Sequence, residues 1–342
     1  MALQTVNRNF QTILAHESAQ DFLAYLNRPN WFKAHFESIF NSHRQRTQGQ
    51  IFLAREPATN AVIGSIYCEL TPMHQSYGKQ IPIFGWLQAN SPEICAALLN
   101  IAKEWVADHG YHILRGPINV PSLYGGWGVR TKGFDRNSLV NSAENDRQLA
   151  SWIARAGWEV ETEYISVLAT EWDPGDCPFP HMELKTYPIP EILANPPLLE
   201  KLQAFVQENF VTRLPDTTGD NKMIRMFALL QTLDQGEDFY ILAFDTDTGD
   251  IIAAILDIPN IMDQWQGQPI TSADIDTAII GKKYRNANTF PWIYLRLFQK
   301  LYDRGVTYQI GATIWSKNIP ALTCFAKGSI HVARFEVYQQ QF

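Results

Sequence analysis

The residues best suited to bind an anionic group lie in one short stretch, KKYRNANTF at positions 282–290. Its basic residues are Lys282, Lys283 and Arg285, in a chain whose formal net charge is −7. Asn286 and Asn288 belong to a residue type that tolerates the left-handed backbone conformation, so successive N–H groups here can point at one anion. A helix is predicted to begin at once, and a helix N-terminus favours negative charge. The stretch predicts an anion-binding turn, with a solvated basic turn as the alternative.

A second stretch, NVPSLYGGWGVRTKGF at 119–134, has neither helical nor strand periodicity. Long irregular loops in compact domains often bind ligands. Its glycines would allow close backbone approach, and Tyr124 and Trp127 offer flat apolar surface. It is not a phosphate loop, because it lacks the Lys-Ser/Thr ending. We predict a lid over a bound ligand, beginning at Asn119; the alternative is a purely structural loop.

Other chemistries find little support in the sequence. His109 and His112 straddle a predicted helix end and a strand, so no metal site is expected. No Ser-His-Asp arrangement suggests a hydrolase. The pI of about 5.6 disfavours nucleic-acid binding, which usually needs a basic face. Cys324 is expected to be a small buried hydrophobe rather than a nucleophile.

The expected setting is the cytoplasm. The four cysteines are widely spaced and are interpreted as reduced thiols. The first ten residues, MALQTVNRNF, lack the apolar run of a secretory signal. The longest apolar runs, such as 251–256, are far shorter than the roughly 20 residues of a membrane-spanning helix.

An internal repeat positions these residues. A predicted hairpin at 51–70 recurs at 239–259, an offset of about 188 residues. In each half a strand, a helix, a strand, a short helix and a closing strand follow. The predicted long helices begin at Ser91-Pro92 and at Thr289, and end before Gly110 and Gly305.

This element order predicts an α+β fold with two domains. The first domain is predicted at 1–172 and the second at 198–342. Residues 173–197 carry seven prolines and are interpreted as an extended linker.

The repeated order and several local motifs resemble the GNAT superfamily of N-acyltransferases, in its tandem, two-domain form. In the second half, 316–338 resembles the last strand–helix–strand stretch of the superfamily. The matching positions there are Asn318, Ala321, Phe325, Lys327 and Tyr338. In the first half, RGPIN, KGFD and ARAGWEVETEYI resemble motifs of a bacterial family of double-GNAT proteins. The resemblance implies two tandem GNAT-like domains, each a mixed, mostly antiparallel sheet flanked by helices.

The resemblance implies a thioester donor, acyl-CoA or an acyl-carrier phosphopantetheine, whose phosphates lie on the loop between the fourth strand and the next helix. No tightly bound cofactor is expected. The usual loop motif is Arg or Gln, two residues, Gly, one residue, then Gly or Ala. In the second half Arg285 matches, whereas Asn288 and Phe290 replace the small residues. The predicted donor-binding residues are Lys283, Arg285, Asn286, Ala287, Asn288 and Thr289.

In the first half the equivalent loop, at 85–93, keeps only Gln88 and lacks basic residues. This copy is therefore expected not to bind CoA. It is expected to shape the acceptor side of a cleft between the copies.

The resemblance also implies the catalytic groups. A carboxylate accepts the proton of the amine, a Tyr protonates the leaving thiolate, and a backbone N–H of the splayed fourth strand binds the thioester oxygen. Asp276 is the first choice of base, with Asp257 and Asp274 as alternatives. Phe325 stands where the family has its Tyr, so Tyr284, Tyr294 and Thr323 are candidate substitutes. Ser316 and Asn318 are candidates for contact with the pantetheine arm, with helix capping as the alternative for both. Trp315 is a substrate candidate, and the loop at 119–134 is then expected to be a lid over the acceptor or the acyl chain.

The sequence thus predicts an enzyme that moves an acyl group from a thioester to an amine. The aromatic helix 290–302 suggests a fatty-acyl tunnel, although a core helix explains it equally. A catalytically inactive thioester-binding protein is the alternative from another class, and an acyl-carrier protein is an alternative donor. The acceptor is left open among an amino acid, a small amine and a peptide side chain.

Overall fold

The computed structural model divides the chain into two compact units. It describes residues 5–7, 10–16, 19–47, 49–135, 139, 141–169, 176–209, 214–217, 240–285, 288–324 and 329–342. The N-terminal unit comprises Met1–Ile165, Leu214–Gly219 and Val332–Phe342, and the C-terminal unit comprises Ser166–Arg213 and Asp220–His331. The units are therefore discontinuous along the chain, unlike the division at 1–172, 173–197 and 198–342 that the sequence predicts.

The sheet of the N-terminal unit is mixed and mostly antiparallel. Its strands along the chain are β1 (Thr5–Asn7), β2 (Phe10–His16), β3 (Gly49–Arg55), β4 (Val62–Glu69), β5 (Ile83–Ala89), β6 (Ile113–Gly116), β7 (Val129–Lys132) and the first part of β8 (Glu159–Ala169). Neighbouring strands run in the order β1-β2-β3-β4-β5-β6. Only the pairing of β5 with β6 is parallel among the described pairs of this run. The hairpin predicted at 51–70 is formed by β3 and β4.

Helices cover this sheet. They are α1 (Gln20–Tyr25), α2 (Asn30–Arg46), α3 (Pro92–Asp108), α4 (Ser122–Gly125) and α5 (Leu149–Arg155). The start and stop signals of α3 act as predicted, because Ser91 Oγ accepts a hydrogen bond from the Ile94 N–H at 3.3 Å and Gly110 has φ +83° just after the helix. Ile94, Leu98 and Ile101, spaced three or four residues apart, form the apolar face of α3 that packs against the sheet. Each such buried side chain contributes about 1.5–3 kcal/mol of hydrophobic stabilisation.

The sheet of the C-terminal unit repeats the pattern. Its strands are β9 (Met182–Thr186), β10 (Tyr240–Asp245), β11 (Ile251–Pro259), β12 (Ser272–Ile280) and β13 (Tyr308–Trp315), in the order β13-β12-β11-β10-β9. The described pairs are antiparallel except that of β12 with β13. The hairpin predicted at 239–259 is formed by β10 and β11.

The helices of this unit are α6 (Ile189–Leu193), α7 (Pro196–Asn209), α8 (Ile261–Trp265), α9 (Thr289–Asp303) and α10 (Ile319–Cys324). Ile293, Leu297 and Leu301 of α9 are completely buried, and Gly305 has φ +95° after the end of the helix. The expectation of an extended linker at 173–197 is wrong for its described part. Strand β9 pairs with β10 there, and α6 follows. No helix of the described chain is both long and apolar enough to cross a membrane.

The closing strand of the chain, β14 (Ser329–Gln341), was predicted to close the second half. From Val332 onward it belongs to the N-terminal unit, where it pairs antiparallel with β6 from Tyr338↔Gly116 to Gln341↔Ile113. It also pairs with β7. The sheet of the N-terminal unit is therefore completed by the last residues of the chain.

Candidate functional site

The fourth strand of the C-terminal unit has the geometry that could present a backbone group to a substrate. Strands β12 and β13 pair in parallel from Ser272↔Tyr308 to Asp274↔Ile310, and beyond these positions their described residues do not pair with each other. Next to this point the pairing of β11 with β12 skips one residue of β12, so Asp276 lies in a bulge. The Asp276 carboxylate accepts a 2.6 Å hydrogen bond from the Thr277 hydroxyl and is half-buried. The predicted base thus lies where the two strands diverge.

Two further carboxyl groups lie inside this unit beside the bulge. Asp257 of β11 is completely buried, and Asp274 of β12 is 1% exposed. Neither oxygen of Asp257 has a hydrogen-bond partner among the described residues. Burial, reinforced by the charge of Asp274, raises the pKa of the Asp257 carboxyl well above its ordinary range. Burial therefore favours the neutral, protonated form of Asp257.

Asp257→Asn is expected to stabilise the fold as the pH rises. In the unfolded chain the Asp257 carboxyl releases its proton above about pH 4, whereas in the folded state it retains the proton because its pKa is raised. The contribution of Asp257 to the free energy of unfolding therefore declines as the pH rises from about 4 toward the folded pKa. The side-chain amide of the variant does not titrate in this range, so the variant does not lose stability in this way. Urea unfolding at pH 4 and pH 7.5 should show a gain for the variant of about 1 kcal/mol or more at pH 7.5 and little at pH 4. A variant that is less stable than wild type at both pH values would contradict the neutral-acid interpretation.

The basic turn after β12 is held largely by contacts within its own unit. Arg285 donates from Nε to the Ile280 carbonyl and from Nη2 to the Asn209 carbonyl, both at 2.9 Å. Exposed Lys283 forms a 3.1 Å ion pair with Asp250 and lies over the Tyr284 ring. Asn286 and Ala287 lie outside the described residues. The positive charge of the turn is in place, and Arg285 also has a structural role.

The first turn of α9 follows that basic turn. The helix was predicted to begin with Thr289 as its cap. The cap position is instead Asn288, whose side chain makes no capping hydrogen bond, while the Thr289 hydroxyl donates to the Tyr284 carbonyl at 2.8 Å. Phe290, which stands where the family motif has a small residue, is buried and stacks on Tyr294 with ring centroids 5.6 Å apart. Its ring therefore packs into the interior and does not cover the helix N-terminus.

The remaining predicted site residues lie at the end of β13 and just after it. Trp315, Ser316 and Asn318 are half-buried. Asn318 Oδ1 accepts a 3.4 Å hydrogen bond from the Ala321 N–H at the start of α10, the geometry of a helix cap. Phe325 lies outside the described residues, as does Lys327.

The equivalent place in the N-terminal unit is filled by its own side chains. Strand β5 also has a bulge, at which Trp86 has φ +50°. The Trp86 N–H donates to Asn119 Oδ1 at 2.6 Å, and Asn119 Nδ2 donates to the Gly125 carbonyl at 2.8 Å. The cavity beside these residues measures about 10 Å³, which is room for a single water molecule. Glu93 places a negative charge in the first turn of α3. The place that corresponds to the donor loop is therefore occupied by side chains of this unit, and the absence of CoA binding here stays a prediction.

Asn119→Ala should destabilise the N-terminal unit by about 1–3 kcal/mol, because it leaves the buried Trp86 N–H and Gly125 carbonyl without partners. Chemical denaturation measures this loss. Asn90→Ala is the matched control, since the Asn90 side chain accepts an exposed hydrogen bond from the Tyr25 hydroxyl. Equal effects of the two variants would contradict this role of Asn119.

The Gly-rich stretch 119–134 is more ordered than predicted, because it contains α4 and β7. Tyr124 is 1% exposed and packs on Phe36, so it offers no open apolar surface. Trp127 packs between His74 and Tyr164. A side chain at Gly126, which has φ +68°, would place its Cβ 2.3 Å from the Asn141 carbonyl oxygen. The prediction of exposed aromatic surface is therefore wrong for Tyr124, and the glycine allows close approach of the chain to itself.

Sequence reasoning missed a buried ionic cluster in the N-terminal unit. Asp216 is bound by both terminal nitrogens of the Arg115 guanidinium, by Tyr164 and, at 2.6 Å, by His74 Nε2. Burial by itself would raise the pKa of the Asp216 carboxyl, but the charge of Arg115 and the hydrogen bond from His74 hold it well below its ordinary value. No local sequence signal could have found the cluster, because His74 and Asp216 are 142 residues apart.

Comparisons with known proteins bear on the fold. No family model and no curated protein sequence matches the chain. Among solved structures, a tandem GNAT protein from the clavulanic acid biosynthesis pathway matches with a TM-score of 0.58 and 12% identity over 100% of this chain and 98% of that one. A GCN5-related N-acetyltransferase from Sphaerobacter thermophilus matches with a TM-score of 0.51 and 14% identity over 85% and 80%.

A third match is a fungal multi-domain GH3 β-N-acetylglucosaminidase with a region described as a GCN5-related glucosamine N-acetyltransferase. The TM-score is 0.60 and the identity 12%, over 96% of this chain. This chain spans 38% of the length of that fungal protein. At these identities the matches establish the fold alone. The chain has a tandem GNAT fold of the α+β class, as the resemblance in the sequence predicted.

Proposed function

We propose that this protein is an N-acyltransferase that moves an acyl group from a thioester to an amine, with the thioester bound by the C-terminal unit. The observation that carries the proposal is the diverging pair β12 and β13 with the carboxylate of Asp276 in the adjacent bulge. A carboxylate at that place can accept the proton that the amine must lose on attack. The tandem GNAT fold supports the same reaction class.

The difference between the two helix N-termini supports the assignment of the donor. The first turn of α9 has no acidic residue, and Lys282, Lys283 and Arg285 precede it. In contrast, α3 has a cap at Ser91 and the negative charge of Glu93. Phosphates of CoA or of a phosphopantetheine arm are favoured by the first arrangement and disfavoured by the second. We therefore propose that residues 283 and 285–289 contact the phosphates of the donor.

Binding of the donor can be tested without knowing the acceptor. Native mass spectrometry with acetyl-CoA, palmitoyl-CoA and CoA should show one bound thioester per chain. Reversing the charges of Lys282 and Lys283 to Glu should weaken binding about tenfold, because two exposed attractions become repulsions. These lysines are preferred to Arg285, whose removal would also break its two backbone hydrogen bonds.

Lys79→Glu combined with Lys103→Glu is the control, since it changes the net charge equally within the N-terminal unit. Equal weakening by both double variants would show only a long-range charge effect and would remove the donor site from this turn. If the protein binds none of the three CoA species, the proposal that CoA carries the acyl group is wrong. The same comparison of acetyl and palmitoyl donors tests the fatty-acyl version. Helix α9 buries Phe290, Ile293, Tyr294, Leu297 and Leu301, which a core helix explains without an acyl tunnel.

A transfer assay distinguishes the enzyme from two other hypotheses, an inactive thioester-binding protein and an enzyme that uses an acyl-carrier protein. Thiol release from acyl-CoA with a panel of amino acids, small amines and a lysine peptide is the direct test of the enzyme. Tight CoA binding with no turnover on any acceptor would favour an inactive thioester-binding protein. Turnover only from an acyl-carrier protein, abolished by reversal of Lys282 and Lys283, would identify a carrier as the donor.

A further inference from the structure

Strand β9 forms one edge of the sheet of the C-terminal unit. It pairs with β10 from Met182↔Asp245 to Thr186↔Ile241, and on its other side it has no neighbour among the strands that the structure describes. An edge strand presents backbone N–H and C=O groups that can pair with a strand of another chain. Strands β10 and β11 separate β9 from β12, so this edge lies away from the proposed site of acyl transfer.

The register of the ladder shows which backbone groups of β9 face outward. In an antiparallel ladder, alternate residues direct both their N–H and their C=O groups at the partner strand. The Tyr187 N–H donates to the Tyr240 carbonyl at 3.0 Å, and the Thr246 N–H donates to the His181 carbonyl at 2.7 Å. Both bonds lie on the register that joins β9 to β10. Residues 181, 183, 185 and 187 therefore bond to β10, whereas residues 182, 184 and 186 face outward.

Leu184 lies at the centre of this outward row. The Met182 N–H already donates to the Phe179 carbonyl at 3.2 Å. In the described part of the chain, the outward groups that remain available are both groups of Leu184, the Thr186 N–H and the Met182 carbonyl. A second copy of β9, antiparallel and related by a two-fold axis at Leu184, matches this set. The two Leu184 residues would exchange two hydrogen bonds, and the Thr186 N–H of each copy would donate to the Met182 carbonyl of the other.

The charged side chains of β9 fit the same axis. Glu183 and Lys185 lie two residues apart and so point to one face of the sheet, where both side chains are about half exposed and form a 3.1 Å ion pair. With Leu184 opposite itself, Glu183 of each copy lies opposite Lys185 of the other. These are positions without hydrogen bonds, where Cα atoms are about 4.5 Å apart. Opposite charges directly across two strands stabilise their pairing.

The same charges disfavour the neighbouring registers. A shift by two residues in one direction would place Glu183 opposite Glu183, and a shift in the other direction would place Lys185 opposite Lys185. Like charges directly opposite each other destabilise a strand pair. Charged residues on an edge commonly prevent pairing altogether. In β9 they instead permit one antiparallel register, the one centred on Leu184.

We propose that two copies of this chain associate through β9, antiparallel and centred on Leu184, so that the sheets of their C-terminal units join into one. The interface is two-fold symmetric, and the same five residues of each copy form it. A contact of one short strand is small, so the dimer is weak and forms at high protein concentration. The proposal does not depend on the proposed acyl transfer.

Exchange of the two charges provides the test. Sedimentation equilibrium of the full chain from about 1 µM to 1 mM should show wild type passing from monomer toward dimer. Glu183→Lys alone, or Lys185→Glu alone, should raise the dimer Kd about tenfold or more, because two attractive pairs become repulsive. The chain that carries both substitutions should recover the wild-type Kd. An equimolar mixture of the two single variants should form a heterodimer, since every cross-strand pair then joins opposite charges.

Two further variants separate strand pairing from other effects. Glu37→Lys changes the net charge equally at an exposed position of α2 in the N-terminal unit, and should leave the Kd at its wild-type value. Leu184→Pro removes the N–H at the axis and keeps the charges of β9. That N–H points away from β10, so the ladder within the chain is retained while the dimer is lost. Thermal melting verifies that each variant folds, and the charge exchange remains decisive if Leu184→Pro does not.

A wild-type protein that stays monomeric at the highest concentration would overturn the proposal. A dimer whose Kd changes no more in the single β9 variants than in Glu37→Lys would also overturn it, because the contact would then lie on another surface. If the mixed single variants associate no more strongly than each does alone, the register centred on Leu184 is wrong. None of these outcomes would contradict the proposed acyl transfer, which the thioester assays test separately.

Discussion

Asp216→Asn is expected to lower the free energy of unfolding by about 3–5 kcal/mol. The substitution keeps the shape of the side chain but leaves the Arg115 guanidinium, which is completely buried, without its main counter-charge. Removing one partner of a buried ion pair exposes the full desolvation cost of the other. Urea or guanidinium unfolding monitored by tryptophan fluorescence measures the loss.

Asp247→Asn is the matched control, since Asp247 and its partner His181 are both more than half exposed and lie 3.4 Å apart. An exposed pair of this kind contributes about 0–1 kcal/mol. If Asp216→Asn were no more destabilising than this control, the buried cluster would not stabilise the N-terminal unit.

The same carboxyl group predicts a dependence of stability on pH. Its folded pKa lies below its unfolded value of about 4, so the stabilisation is complete above that pH and is lost as the pH falls further. Between pH 7 and pH 3 the wild type should therefore lose more stability than Asp216→Asn. Parallel curves for the two proteins would contradict the depressed pKa.

Asp276→Asn is expected to lower kcat/KM for acyl transfer by about 10²–10⁴-fold, the range that removal of a general base produces. The amide matches the carboxylate in shape and can still accept the Thr277 hydrogen bond, so little effect on folding is expected. The assay is thiol release from an acyl thioester with an acceptor on which wild type turns over.

Asp303→Asn is the control for this variant, because Asp303 ends α9 and accepts an exposed hydrogen bond from Gln299. Binding of the thioester by native mass spectrometry should be unchanged in both variants. If Asp276→Asn keeps the wild-type kcat/KM, Asp276 is not the base. Asp274, on the same strand, would be the next residue to replace.

Local signals in the sequence identified most of the elements. The cap at Ser91, the glycines at 110 and 305, and the apolar spacing of α3 and α9 all act within a few residues of chain, so they can be recognised without knowing the fold. The Thr289 cap was misplaced by one residue because Asn288 and Thr289 are both good capping residues.

Contacts between distant parts of the chain could not be recognised in that way. The sequence predicts the strand that closes the second half, but its pairing with β6 depends on which sheet edge is available in three dimensions. The segment at 173–197 was interpreted as a linker because of its prolines, yet β9 pairs at the edge of the sheet, where such residues nearby do not disturb the ladder.

The sequence by itself therefore determined the repeated order of helices and strands and the positive charge before α9, because periodicity, caps and composition are local. Only the tertiary structure decided which carboxyl groups are buried and how they are paired. Asp257, Asp274 and Asp276 look alike in the sequence, but Asp276 lies in the half-buried bulge, whereas Asp257 is enclosed and has no hydrogen-bond partner in the described part of the chain. Burial and pairing set the pKa of a carboxyl group, and both depend on neighbours that folding brings together from far along the chain.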